Sequence, residues 1–423
     1  MNHQNAAILL DETFNNSYDD GQFSNFIREL FNGFGFSYNT LKNIKPEYKQ
    51  YIDSYQILGS YTDSNKIIDI LVVKLNKESA SRDRARTKQR NFVTQHLAEK
   101  NKHAALVAFY GDDPEDWRFS FVKMDYSFSK NGSIVKELTP AKRYSYLVGV
   151  NEPNHTCRRQ FLDLIIEEDT NPSIDNIENA FSIDNVTKEF FSDYKELLKL
   201  KESLERIIEK DPIVKNEFDE KSISAVDFSK KLLGQIVFLY FLQKKGWLGV
   251  ENGKDLGTGP KDFMIKLFGS KKKGISPLVP YSNFLNEILE PLFYDALTNP
   301  RQDDDGYHIH FKCKIPFLNG GLFEPINNYN WVDTDILLEN KIFEDIFETF
   351  NRFNFTVKED EPLDKEVAVD PEMLGKVFEN LLTVTDRKSK GAFYTPREIV
   401  HLYVPAESDK LSRNKYRYSF ERY

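Results

Sequence analysis

Cysteine is nearly missing from this sequence. Cys157 and Cys313 are the only two, far apart and without ligand-like spacing. That excludes a disulfide scaffold and a cysteine-type zinc site, and it fits a reducing compartment. Long apolar runs are missing too. The richest stretch, Ile236 to Leu242, falls far short of the roughly 18 apolar residues that mark a membrane span. The opening residues, MNHQNAAILLDET, have neither a basic start nor a long apolar core, so no signal peptide is expected. The expectation is a cytoplasmic protein with no membrane partner. An excess of positive charge is also absent. A net charge of −9 argues against a uniformly basic nucleic-acid binder, while leaving room for a local basic face.

What is present is a globular composition, with 40% hydrophobic and 14% aromatic residues. The 34 Phe and 21 Tyr must mostly be core, because each ring buries a large apolar area. At 423 residues the chain is too long for one ordinary core, so two or three domains are expected.

Residues 1–165 read as an α/β domain with a mixed sheet. Phe23, Phe26, Ile27, Leu30 and Phe31 recur at helical spacing, which predicts an amphipathic helix over 21–32 closed by Gly33 and Gly35. A strand over 55–61 and a turn at 62–65 follow. KIIDILVVKL, 66–75, is β-branched and nearly continuous, the pattern of a buried central strand. A strong helix comes next, then the buried strand AALVAFY, 104–110, and the alternating strand 117–126.

One acid, Asp69, interrupts the central strand. A buried carboxylate is costly unless it is paired or binds a metal. Lys74, Asp63 and Glu29 are the nearby charges that could serve it, and pairing with an arginine of the next helix is the structural alternative. An acidic helix, strands carrying acids and a lysine, then a helix carrying a glutamine resemble the PD-(D/E)xK nuclease fold. The resemblance implies Mg²⁺-dependent DNA hydrolysis, with Asp69 as metal ligand and Lys74, Glu29 and Gln89 as catalytic partners. The sequence departs from that pattern at Val72, where an acid is expected. Alternation along a strand also sends Asp69 and Lys74 to opposite faces unless a bulge intervenes.

The helix after the central strand carries Arg82, Arg86 and Arg90 at i, i+4, i+8, with Arg84 and Lys88 in a second row. Five cations against Asp83 alone within nine residues is one-sided. The patch reads either as a solvated face or as a phosphate contact for double-stranded DNA.

Residues 166–185 are polar and read as a linker. From 186 to 390 the pattern is mainly α-helical. Asp227 to Gly246 is its most hydrophobic helix, ended by Gly246 with Trp247 and Leu248 packing back. IPFLNGGLFEP, 315–325, reads as rigid scaffolding.

Near the end stands KGAFYTPREIVHLYV, 390–404. Thr395 suits an N-cap, Pro396 the first helical position, and Glu398 completes a capping box. GAFYTP followed by Ile399 and Val400 resembles the motif that opens the cofactor site of adenine-specific DNA methyltransferases. Together with LLGQIVFLYFLQKKGWLG, IPFLNGGLFEP and LGKVFENLL it is most similar to fused restriction–modification enzymes of type IIG, over roughly residues 50–404. The resemblance implies a nuclease-like domain, a helical connector, and S-adenosylmethionine contacts from Phe393, Tyr394, Thr395 and Pro396. The glycine-rich loop and the NPPY-type motif that adenine methylation needs are not in the sequence. Residues 405–423 diverge from the family pattern and are expected to be disordered. The expected protein is therefore an N-terminal part of a DNA restriction–modification protein, one that cuts DNA with Mg²⁺ and does not methylate. The rival is a non-catalytic DNA-binding or subunit-interaction protein of a restriction–modification or phage-defence system. A separate methyltransferase or specificity subunit is the implied protein partner.

Overall fold

The computed structural model describes residues 1–41, 44–76, 85–112, 114–124, 141–166, 171–301, 306–318, 321–357, 363–371, 373 and 375. Residues 1–368 form one compact unit and 369–423 a second. Arg82, Arg84, the motif 390–404 with Phe393, Tyr394, Thr395 and Pro396, and the tail 405–423 lie outside the described residues.

Helix α1 (His3–Phe14) is capped by the Asn2 side chain, and α2 (Asp20–Leu30) by the Asp19 carboxylate, which accepts the Gln22 amide. Strands β1 (Asn39–Leu41), β2 (Ile52–Asp63) and β3 (Lys66–Leu75) follow, with Ser64 in the left-handed conformation between β2 and β3. Helix α3 (Arg86–Lys100) ends where Asn101 turns left-handed. Strands β4 (Ala104–Tyr110), β5 (Asp116–Lys123) and β6 (Lys142–Gly149) lead into α4 (His155–Ile166) and α5 (Ile174–Ala180). The segment 166–185, expected to be a linker, thus holds α5 in its described part. Phe181 fixes it in place, packing on Phe119 and Phe121 of β5 at 5.2 and 5.8 Å between ring centroids.

Helices α6 (Ile183–Leu197), α7 (Leu200–Lys210), α8 (Pro212–Glu220), α9 (Ala225–Lys245) and α10 (Phe263–Phe268) come next. In α9, Gly246 adopts φ +71°, and its amide and that of Trp247 close the helix on Gln243 and Leu242, as the glycine predicts. A Cβ there would lie 2.4 Å from the Gly257 carbonyl oxygen. Two π-helical turns, Leu285–Leu289 and Leu292–Ala296, flank Glu290. This carboxyl is buried and accepts the Tyr329 hydroxyl at Oε1, while Oε2 has no partner. Burial pushes its pKa up to about 8, against the Tyr329 hydrogen bond and helped by the charge of Asp335. The hairpin β7 (Tyr307–His308) and β8 (Cys313–Lys314), two short 3-10 turns at Gly321–Phe323 and Ile326–Asn328, helix α11 (Asn340–Phe350) and strand β9 (Asp364–Glu366) complete the described elements.

The main sheet is mixed and seven-stranded, in the order β1-β2-β3-β4-β5-β6-β9. Strands β1 to β3 run antiparallel, α3 crosses over to a parallel β4, and β4 to β6 run antiparallel. Strand β9 adds to β6 in parallel. A strand from the segment expected to be helical connector therefore closes the edge of the first sheet. On one face α3 lays Phe92, Val93 and Leu97 over Leu71, Val73, Val107 and Phe109. On the other, Phe14, Phe23, Phe26 and Phe161 pack against Phe119 of β5 at centroid distances between 5.3 and 6.0 Å.

Candidate functional site

Asp69 points toward α3 and is 2% exposed. Its Oδ1 accepts the Ser60 hydroxyl at 2.7 Å and faces Lys102 Nζ at 3.2 Å, while His96 Nε2 lies 2.8 Å from Oδ2. Burial alone would raise this carboxyl's pKa. The hydrogen bonds from His96 and Ser60 and the Lys102 charge outweigh it, and hold the group below the usual carboxylate range. Both oxygens are used in stapling β2, β3 and the end of α3 together. The partner is thus a histidine of α3 and a lysine just after it, not an arginine of that helix.

The four residues expected to act as a nuclease set are not brought together. Pairing of β3 with β4 runs unbroken from Ile68 to Lys74, so no bulge in β3 turns Asp69 and Lys74 to one face. Five residues of strand separate them by roughly 16 Å. Gln89 lies on the α3 side but beside β6, buried, its Oε1 accepting from Arg143 Nη1 at 3.0 Å. Glu29 is half-buried on α2, across the sheet from Gln89. Among the described residues no three His, Cys, Asp or Glu side chains are placed to hold a metal ion, so Asp69 is not part of such a group.

The arginine row is also placed differently. Arg86 and Arg90 share a face of α3, as their spacing requires, but that face looks into the protein. Arg86 Nη2 meets Asp364 Oδ1 of β9 at 3.1 Å. Arg143 of β6 grips the same carboxylate with Nε and Nη2 at 3.1 and 2.7 Å, and Arg118 of β5 reaches Glu366 at 3.3 Å. Burial raises the Asp364 pKa, and the charges of Arg143 and Arg86 override this and lower it. Burial brings the Arg143 guanidinium down to about 10, against the pull of Asp364. Lys88 alone of the described cations in this row is exposed. The sequence signal for this network lies in the strands. Arg118 and Ser120, then Arg143 and Ser145, occupy alternate positions on one face of β5 and β6, where an apolar strand would carry hydrophobic residues.

The open chemistry lies at the other end of the sheet. Lys49, Gln50, Asp53, Lys74, Leu75, Asn76 and Asp112 line a hollow of about 470 Å³. It sits at the carboxyl ends of the parallel pair β3 and β4, a common place for ligands in sheets of this kind. A register shift between Ile52 and Ser54 leaves Asp53 as the extra residue of a β-bulge opposite Lys74 and Leu75. Bulges of this kind re-aim a side chain. Lys74 Nζ lies 3.6 Å from Asp112 Oδ1. Next to it on β4, Tyr110 stacks on Tyr18 at 4.4 Å, and burial followed by the charges of Asp20 and Asp53 raises the Tyr110 hydroxyl pKa. Carboxylate and amide oxygens around one lysine form a hard-ligand set. It offers two carboxylates, and among the described residues no third His, Cys, Asp or Glu joins them to make a three-residue group that could hold a metal ion. The sequence concealed this site because Asp53 and Asp112 belong to no motif. Only the bulge and the parallel pairing bring them to Lys74.

No protein-family model, curated protein or solved structure matches the chain. Among the described residues no helix is long and apolar enough to cross a membrane.

Proposed function

We propose that the chain is the nuclease and connector portion of a DNA restriction–modification protein. In this reading it hydrolyses double-stranded DNA with Mg²⁺ at the Lys74 hollow rather than at Asp69. The observation that carries the reading is the meeting of Lys74, Asp53 and Asp112 at the ends of β3 and β4. The order helix, antiparallel strands, crossover helix, parallel strand agrees with the nuclease resemblance. Asp53 and Asp112 would hold the ion, and Gln50 and Asn76 would orient its water. Bound there, Mg²⁺ supplies Lewis-acid polarisation of the scissile phosphate. A water oxygen forms the new bond to phosphorus and gives its proton to solvent, while the bond to the departing sugar oxygen breaks and that oxygen takes a proton from solvent to leave as the alcohol. The Lys74 ammonium lies where it stabilises the negative charge that builds on the phosphoryl oxygens. In this reading Phe393, Tyr394, Thr395 and Pro396 are the family's S-adenosylmethionine contacts, the chain binds that cofactor poorly without the glycine-rich loop and NPPY-type motif, and a separate methyltransferase or specificity subunit is its protein partner.

The lack of a three-ligand group among the described residues favours a second reading, a non-catalytic DNA-binding or subunit-interaction protein. Plasmid cleavage in Mg²⁺ separates the two. The nuclease reading requires nicking or linearisation that EDTA stops and that Lys74→Ala and Asp53→Asn each reduce by about a hundredfold or more. Wild-type protein that binds the plasmid and never cuts it supports the second reading.

A further inference from the structure

Between α2 and β1 the chain reads FNGFGFSYN, and the structure turns its rings into a ladder. Phe31 stacks on Tyr61 of β2 at 4.3 Å. Phe34 follows at 6.1 Å, Phe36 stands edge-on to Phe34 at 4.8 Å, and Tyr38 stacks on Phe36 at 5.1 Å with an angle of 11° between the rings. The inner rungs are anchored. Gly59 of β2 lacks the Cβ that would stand 2.7 Å from the Phe34 ring, so that ring lies directly on the strand. The outer rungs come progressively into solvent, with Phe36 half-buried and Tyr38 50% exposed. Tyr38 is also held at φ +48°, a conformation that an aromatic L-residue adopts at an energetic cost. The Arg28 guanidinium sits 5.3 Å from the Phe36 ring centroid, steadied by a 2.6 Å hydrogen bond to Asn25. A core has no use for a strained, half-exposed ring at the end of a stack, and a lone surface apolar residue would not bring three others into line with it.

Phe36 covers one face of the Tyr38 ring and leaves the outer face to solvent, and an exposed flat face with a cation beside its support matches the chemistry of a nucleotide strand, whose bases stack and whose phosphates carry charge. The ladder also leads toward the hollow. Gly59, Tyr61, Ser54 and Lys74 all point to the α2 side of the sheet, by their pairing with Ile70, Ile68 and one another. Asn39, next to Tyr38, pairs with Ile57, and from Ile57 to Ser54 is roughly 10 Å of strand. We propose that the outer face of Tyr38, positioned by Phe36 and flanked by Arg28, is a stacking platform for a base of single-stranded DNA, on a track along the β1 edge toward the Lys74 hollow. The track binds a strand with or without hydrolysis at the hollow, so it is tested apart from cleavage.

The test is fluorescence anisotropy of a labelled oligothymidylate of about twelve nucleotides, titrated with the full chain in EDTA. Tyr38→Ala and Phe36→Ala should each weaken binding on the order of tenfold, with Tyr38→Phe close to wild type. Arg28→Ala should lower the slope of log affinity against log salt by about 0.7. A strand of the same phosphates without bases should bind wild type no better than oligothymidylate binds Tyr38→Ala. The proposal is overturned if wild type does not bind the oligothymidylate, if the alanine variants bind it like wild type, or if the abasic strand binds equally well. It falls too if Tyr38→Ala abolishes a concentration-dependent self-association in light scattering and leaves oligonucleotide binding unchanged, because the ladder is then an interface between copies of the chain.

Discussion

Arg143 and Asp364 form a two-armed buried ion pair across 221 residues of chain, with Nε and Nη2 at 3.1 and 2.7 Å from the two carboxylate oxygens. The pair holds the last strand of the sheet. Arg86 of α3 closes on the same carboxylate, so one acid from the far end of the unit is shared by a strand and a helix of the near end.

Removing that acid leaves two guanidinium groups buried without their counter-charge. Asp364→Ala should therefore lower the unfolding free energy by about 3–5 kcal/mol, measured as a fall in urea midpoint. Arg143→Lys should also destabilise, because an ammonium cannot reproduce the fork that spans both oxygens. A midpoint unchanged in Asp364→Ala would contradict the geometry.

Asp69 should behave as a structural acid. Asp69→Ala breaks the staple between β2, β3 and α3 and should cost about 3 kcal/mol, the scale for removing one partner of a buried pair. Under the proposed nuclease reading, DNA cleavage per folded molecule should stay within about threefold of wild type, whereas a catalytic acid would cost orders of magnitude. The two carboxyls also set the acid limb. Asp69 and Asp364 both titrate below the usual range when folded, so their stabilisation is whole above about pH 4. It is lost as pH falls through their folded values. Thermal melts between pH 5 and pH 2 should show a steep drop that is shallower in Asp69→Asn.

Glu290 acts with the opposite sign. Its folded pKa is about 8, well above the roughly 4.3 of an unfolded glutamate. Across that window the folded chain keeps a proton the unfolded chain has released. Stability should decline as pH rises from about 4 toward 8, by up to about 1.4 kcal/mol per pH unit from this group. Glu290→Gln, which mimics the protonated form, should flatten the decline in urea midpoints over that range. An identical slope in the variant would show that Glu290 is ionised in the fold.

Several elements are legible in the amino-acid pattern alone. Strand β3 at Lys66–Leu75 and β4 at Ala104–Tyr110 match the expected ranges, and α9 ends at Gly246 with Trp247 folded back. These features are local. A β-branched run, a helical period and a left-handed glycine each act over a few residues, and the backbone responds to them directly. Opposite facing of Asp69 and Lys74 follows from strand alternation in the same way.

The fate of the charges was decided by the tertiary structure. Spacing on α3 shows that Arg86 and Arg90 share a face, but periodicity does not say whether that face meets water or protein. The answer depends on Asp364 and Glu366, which arrive from the far end of the unit to neutralise the arginines inside. Asp69 likewise takes partners from positions 60, 96 and 102, and Asp53 reaches Lys74 only through a bulge. A charge is tolerated in a low-dielectric interior only beside its counter-charge. The sequence by itself determined local elements such as β3, β4 and the glycine-ended helix α9. Which charges are structural and which remain open for chemistry was decided by contacts between residues distant in the chain.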